Sequence, residues 1–209
     1  MFQLRRREIW RVPGALIPAL ALGGVFGCLW LSVRAGSLPP VFPPLDGSVS
    51  VSRACREPPA IYLFRATVIP AAIFGALWWR AASPFAGSAK RAVLILGIAG
   101  VAGFFMYALA LGVPGMRPVR RVAIYVFLFL TIAAQIVFAR APAKQNFAAR
   151  RFFFATCALP LICLSLLPLG AAILGDWDRA ENFAEWHTLW LMLLWFPAAD
   201  RFLRAAARR

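Results

Sequence analysis

The sequence predicts an all-α integral membrane protein, a bundle of six transmembrane helices with both termini in the cytoplasm. Hydrophobic residues make up 62% of the 209 positions, and the mean hydropathy is +0.73. A soluble domain of this length cannot bury so much apolar surface in one core. The charged residues also lie in short clusters between long uncharged segments. We therefore expect a single transmembrane domain over residues 1–209.

The uncharged segments define the predicted spans. About 20 helical residues cross a hydrocarbon core of about 30 Å. Six segments approach or exceed this length: 12–33, 60–79, 92–116, 122–139, 152–175 and 183–199. The second contains Arg65 near its start, and the sixth contains Glu185 and His187 near its start. The Pro-rich stretch 34–59 is the longest predicted external loop, with residues 38–44 extended, and it either covers the mouth of the bundle or is loosely ordered.

The distribution of charge predicts the orientation. Basic residues are enriched on the cytoplasmic side of membrane proteins. Six spans place most of the 23 basic residues on the side of the termini, and place six of the eight acidic residues on the other side: Asp46, Glu57, Asp176, Asp178, Glu181 and Glu185. The net charge of +15 therefore indicates membrane flanks and not nucleic acid. The expected location is the cytoplasmic membrane of a bacterium, or an endomembrane or plasma membrane of a eukaryote.

Ionisable residues at the start of the last span form the main candidate site. On a helix, Asp178, Glu181 and Glu185 share one face at spacings i, i+3 and i+7. Three acids on one stripe repel each other unless cations face them, and Arg56, Arg65 or Arg121 are available on the same side. We hypothesise a lipid-binding or partner-binding polar cluster, with Glu185 and Arg65 as its most buried pair. The cluster also includes the membrane-boundary residue Trp186.

A catalytic role is the alternative interpretation of the same region. His187, the only histidine, is the candidate base, with Glu185 or Glu181 as a partner. Residues two apart on a helix diverge by about 200°, which disfavours a dyad of Glu185 and His187. The sequence contains no known catalytic motif, and its cysteines lack metal-ligand spacing, so we expect neither a cofactor nor a metal.

Small residues and thiols have simpler expected roles. Gly23 and Gly27 in the first span, and Gly97, Gly100 and Gly103 in the third, predict close helix contacts. Three of the four cysteines lie in apolar segments, and Cys55 lies in the external loop. We expect buried structural thiols and no disulfide framework.

Two segments resemble the DRAM/Frag/Sfk family, which includes autophagy modulators, a GPI-lipid remodelling factor and yeast Sfk-type proteins. The first is Ser52-Arg53-Ala54-Cys55-Arg56-Glu57-Pro58-Pro59 with the following Ile61-Tyr62-Leu63-Phe64-Arg65, and the second is Glu181-Asn182-Phe183-Ala184-Glu185-Trp186 with Asp200-Arg201-Phe202. The resemblance implies six spans, a long first external loop and an acidic-aromatic motif in the last span. The sequence departs from the family at Arg53 and at residues 115–121.

The leading functional hypothesis is a non-catalytic membrane protein that organises or senses lipids, or supports a partner complex. Its expected partners are membrane lipids, including anionic headgroups at the cytoplasmic face, and another membrane protein. The alternative is an outer-leaflet lipid-remodelling enzyme that transfers acyl groups. A transporter of small solutes or lipids is third, since the spans show neither midplane charges nor an inverted repeat.

Overall fold

The structure, a computed structural model, describes residues 13–141 and 147–208, and every regular element in these ranges is helical. The helices are α1 (Leu16–Arg34), α2 (Pro43–Asp46), α3 (Val51–Ala54), α4 (Ala60–Ala82), α5 (Lys90–Ala110), α6 (Arg117–Arg140), α7 (Phe147–Ser165), α8 (Leu167–Leu174) and α9 (Trp177–Arg208). A 3-10 turn, Ser83–Ala89, joins α4 to α5. The all-α prediction is confirmed for these ranges.

Long helices that follow each other in the chain also pack side by side. Contacts join α1 to α4, α4 to α5, α5 to α6, α6 to α7, and both α7 and α8 to α9, which also contacts α1. We call residues 35–59, between α1 and α4, the strap. The end of the bundle where the strap lies is the strap end.

Three helical runs are long and apolar enough to cross a membrane: 16–34, 60–110 and 117–140. The bent pair 150–165 and 167–174, with an angle of 44° at Leu166, adds a fourth if it forms one span. The predicted fifth span is therefore broken. The predicted sixth span is part of the longer helix α9, which is not among the described runs that are long and apolar enough to cross a membrane.

The strap is ordered and partly helical. Pro43 and Pro44, which lie in the segment predicted as extended, begin α2. Proline is tolerated in the first turn of a helix because the amide it lacks has no partner there. Some basic residues behind the orientation prediction, Lys144, Arg209 and those before Pro13, lie outside the described residues.

Helix contacts confirm close approach at four of the predicted glycines but not at the fifth. A Cβ atom on Gly103 would lie 2.7 Å from a backbone carbonyl of α6, and one on Gly97 would meet the ring of Trp79. Gly100 lies against Thr131, and Gly27 against Leu63, but Gly23 has open space around it. The neighbouring Gly24, which abuts Thr67, makes the close approach in its place.

Aromatic side chains fill the bundle at the end opposite the strap. Trp78, Trp79, Phe138, Trp195 and Phe196 are each at most 2% exposed, and their rings contact one another at centroid distances of 5.1–6.3 Å. This cluster joins α4, α6 and α9. Because this end is filled with aromatic rings, a binding site is expected at the opposite end, the strap end, where polar side chains lie.

Candidate functional site

Polar side chains at the start of α9 hold the strap. The Asn182 side-chain amide donates to the Gly47 carbonyl at 2.9 Å. The Trp186 indole N–H donates to the Val49 carbonyl at 2.9 Å, and Trp186 is fully buried. The Arg179 guanidinium adds a bond of 3.1 Å to the Asp46 carbonyl. Side chains of the last helix therefore bind the backbone carbonyls of the strap.

Glu185 completes this attachment from its half-buried position. Its carboxylate accepts a hydrogen bond from the Val51 amide at 3.3 Å. Val51 is the first residue of α3, and the first amides of a helix have no partner within the helix. The Ser50 hydroxyl accepts from the Arg53 amide at 3.1 Å and so supplies a second partner for this short helix.

Arg65 has a different role from the one the sequence suggested. Its guanidinium donates to the carbonyls of Ala108, Leu109 and Leu111 at 3.3, 3.4 and 3.0 Å. These carbonyls lie at the C-terminal end of α5, where they lack helical partners and where the helix dipole favours a cation. The predicted pair of Arg65 with Glu185 is wrong, since within the described residues each side chain bonds to backbone instead.

The remaining predicted residues do not assemble into a catalytic group. Asp178 and Glu181 are exposed. The His187 Nδ1 atom lies 2.8 Å from the Phe183 carbonyl, and its ring stacks on the Phe183 ring at 4.0 Å. Within 13–141 and 147–208, no contact joins His187 to Glu181 or Glu185, and no group of His, Cys, Asp or Glu could hold a metal ion.

An open polar groove lies where the strap meets the loop between α5 and α6. We call it the polar groove, and its volume is about 400 Å³. It is lined by Arg56, Glu57, Pro58, Ile61, Tyr62, Arg65, Gly112, Val113, Pro114 and Arg120. Three arginines and one glutamate among the lining residues give the groove a positive balance.

Local backbone geometry brings the two walls of the polar groove together. Gly112 has a φ of +77°, a conformation that favours glycine. A Cβ atom there would lie 2.9 Å from the Arg56 carbonyl. Arg120 lies in the first turn of α6, whose N-terminal end also favours an anion. Glycine at position 112 thus lets the loop approach the strap closely enough for Arg56 and Arg120 to line one groove.

Arg120 is the groove residue that sequence reasoning missed, because Arg121 was the cation named in its neighbourhood. Arg120 is half-buried in the groove, whereas Arg121 is exposed and does not line it. The sequence signal was the triplet Arg117, Arg120 and Arg121 after two turn glycines. Only the tertiary structure, in which the loop at Gly112 approaches the strap, shows which of the three lines the groove.

The groove's chemistry suits a phosphate or a similar anion. A guanidinium presents donors in a planar fork that matches the oxygens of phosphate or carboxylate. The exposed ring of Tyr62 adds an amphipathic side chain at the groove's edge. Such rings favour the boundary between membrane and water. The groove therefore combines basic side chains with an exposed aromatic ring.

A second cavity, of about 630 Å³, is an apolar seam between α4 and α5. It is lined by Ala76, Leu77, Arg80, Leu94, Ile95, Ile98 and Ala99. Its small and aliphatic side chains suit contact with lipid chains, and Arg80 is its one charged lining residue.

Comparisons with known proteins gave no relatives. No family model matches the sequence, and neither a curated protein nor a solved structure matches it. The resemblance to the DRAM/Frag/Sfk family stays a prediction.

Proposed function

We propose that this chain is a six-span integral membrane protein with cytoplasmic termini and with the strap on the outer side. The run 60–110 supplies two of the spans, because α4 and α5 pack against each other around a turn at Gly87, where φ is +61°. The bent pair of α7 and α8 supplies the fifth, and α9 supplies the sixth. The strap-holding bonds support the sixth assignment, since they give several polar side chains at the start of α9 partners within the protein.

The orientation has a direct test. Ala35 is exposed at the start of the strap. In a variant with all four native cysteines replaced by serine, Ala35→Cys should react with a membrane-impermeant maleimide in intact cells. A matched variant with Ser88→Cys, in the turn between α4 and α5, should react only after the membrane is permeabilised. The reverse pattern would contradict the orientation.

We propose a non-catalytic function for the protein: it binds and organises lipids through the phosphate of an anionic headgroup in the polar groove. The observation that carries this proposal is the convergence of Arg56, Arg65 and Arg120 on one open groove. A guanidinium that donates to a headgroup phosphate inside the groove adds a hydrogen bond worth about 1 kcal/mol. Exposed Tyr62 supports a location at the headgroup level.

Lipid retention by the purified protein tests the proposal. The wild type and its variants are delipidated, exchanged into mixed micelles of phosphatidylglycerol and phosphatidylcholine, and measured by native mass spectrometry. Wild type should retain the anionic lipid preferentially. Arg120→Gln or Arg56→Gln should each lower that preference roughly fivefold, the equivalent of about 1 kcal/mol.

Arg34→Gln is the matched control. Arg34 lies at the same end of the bundle but outside the groove, with its guanidinium 5.5 Å from the centre of the Trp30 ring. This variant should retain the anionic lipid as wild type does. Equal retention by wild type, Arg56→Gln and Arg120→Gln would refute the groove as the headgroup site.

The lipid-remodelling alternative lacks a supporting contact among the described residues, because His187 bonds to Phe183 and Glu185 to the strap. Its test compares lipid extracts from membranes with wild type and with His187→Ala at equal abundance. Altered acyl composition that depends on His187 would favour this alternative over the non-catalytic proposal.

A further inference from the structure

Two cysteines that are far apart in the sequence meet between α1 and the strap. The Cys28 thiol donates to the Ala60 carbonyl at 3.1 Å, and the Ser32 hydroxyl donates to the Ala54 carbonyl at 2.9 Å. Cys28 and Ser32 lie one turn apart on the same face of α1. Their two bonds hold residues 54–60 along that face, and Cys55 is within this segment.

Cys55 lies beside Cys28. Both residues are 0% exposed, and the bonds at Ala54 and Ala60 hold Cys55 next to the face of α1 that carries Cys28. Burial, together with this neighbour, raises the pKa of Cys55 well above its ordinary value. In the folded, reduced protein Cys55 is therefore a poor nucleophile, so any oxidation must occur before the strap has closed over α1.

The two other cysteines have different surroundings. Cys157 is buried within α7, and the Cys163 thiol contacts the Ala184 carbonyl of α9 at 3.8 Å. Both lie on the same helix, six residues apart, and neither is in or next to the strap in the sequence. Cys28 and Cys55 are thus the pair that a covalent link could use to connect the strap to the bundle.

Both cysteines are thiols in the structure, and the sequence predicted no disulfide framework. We propose instead that, once oxidised, Cys28 and Cys55 form a disulfide that ties the strap to α1. Each thiol loses one proton, and the two sulfurs together give up two electrons as the S–S bond forms. The oxidant is a disulfide of the extracytoplasmic compartment, carried by a thiol–disulfide oxidoreductase or a small molecule, which becomes two thiols. The proposal rests on the outward orientation of the strap, since such oxidants persist on that side of the membrane.

A buried link at this position has a clear physical effect. It closes the chain between residues 28 and 55, which restricts the unfolded and strap-open states more than the closed state. Once the strap covers it, reductants have no access to the sulfurs. The strap would then stay in place when individual hydrogen bonds to α9 break.

Counting free thiols tests the pair directly. Cells are quenched in acid, the protein is denatured, and free thiols are labelled with a polyethylene-glycol maleimide that shifts the band once per thiol. Wild type should take two labels without reductant, on Cys157 and Cys163, and four after reduction. Cys28→Ser and Cys55→Ser should each take three labels with or without reductant. Cys157→Ser, the matched control, should take one label before reduction and three after.

A second experiment tests whether the two cysteines can form the disulfide at all, independently of which side of the membrane the strap is on. Purified, reduced wild type is partly unfolded, refolded in detergent with oxidised glutathione, and mapped by peptide mass spectrometry. A Cys28–Cys55 crosslink is the expected product, and its absence would refute the geometry. Four labels from cells would refute the disulfide in the membrane. Maleimide labelling of Ala35→Cys then shows whether the proposed orientation is also wrong. The lipid-retention assay tests the proposed function independently of both results.

Discussion

Replacing Trp186 with phenylalanine should loosen the strap while leaving the bundle folded. The indole N–H is the buried donor to the Val49 carbonyl at 2.9 Å, and phenylalanine has no donor. A buried carbonyl without a partner costs about 1–3 kcal/mol, and the lower value corresponds to a roughly fivefold larger strap-open population. The phenylalanine ring keeps part of the contact with Phe26, whose ring centre lies 5.6 Å from that of Trp186.

Hydrogen exchange measures this change. Amides in the strap peptide 46–54 should exchange roughly fivefold faster in Trp186→Phe than in wild type, because local opening controls their exchange. Trp177→Phe is the matched control, since Trp177 begins the same helix but is 53% exposed. Unchanged exchange of the strap, or an equal increase throughout α1 and α4, would show that this bond does not hold the strap. Reduced protein is used for all samples, so that a disulfide does not mask the opening.

Three further predictions concern the helix contacts and the strap. Gly103→Ala should lower the thermal stability in detergent, because the added Cβ would lie 2.7 Å from a backbone carbonyl. Gly23→Ala, where the Cβ would meet open space, should leave the thermal stability unchanged or raise it slightly. Equal losses in the two variants would refute the packing argument. Arg65→Met should cost about 1–3 kcal/mol by leaving three carbonyls at and just after the end of α5 without their charged donor, and an unchanged denaturation midpoint would contradict this role. The nearby Ser48 side chain, together with the Ser48 amide that donates to Asp46 Oδ1 at 2.8 Å, holds the pKa of Asp46 below its ordinary value of 3.8. The stabilisation is therefore present above pH 3.8 and lost as the pH falls through the lower folded pKa. Strap exchange, corrected for its intrinsic pH dependence, should rise below about pH 4 in wild type but not in Asp46→Asn.

The all-α class was predictable because it depends on composition and on the lengths of apolar segments. The break at Leu166 was not predictable, since the segment 152–175 is apolar on both sides of it and Pro168 lies in the first turn of the second helix, where proline fits. Similarly, Pro43 and Pro44 gave a local signal against helix but occupy the turn where proline fits. Local sequence thus specifies which segments are helical better than where each helix begins and ends.

The candidate site was harder to predict because its partners are backbone groups far away in the sequence. Arg65 donates to carbonyls more than 40 residues later, and Asn182 to one 135 residues earlier. A charge pattern suggests other charges as partners, which is why Glu185 was assigned to Arg65. The sequence does not show which backbone groups at helix ends and in the strap lack a partner, yet these are the groups that the side chains bind.

The strap and the polar groove share residues, but a substitution that opens the strap and one that alters the groove should have different effects. The strap contributes Arg56 and Glu57 to the groove, so an open strap would not present a complete site. Apparent affinity falls in proportion to the fraction of molecules that are binding-competent. When the strap is closed in nearly all molecules, a fivefold increase in a small open fraction leaves that proportion close to one. Trp186→Phe should therefore accelerate exchange without altering lipid retention, whereas Arg120→Gln should do the reverse. Loss of both properties in Trp186→Phe would mean that the wild-type strap is already open in a substantial fraction of molecules.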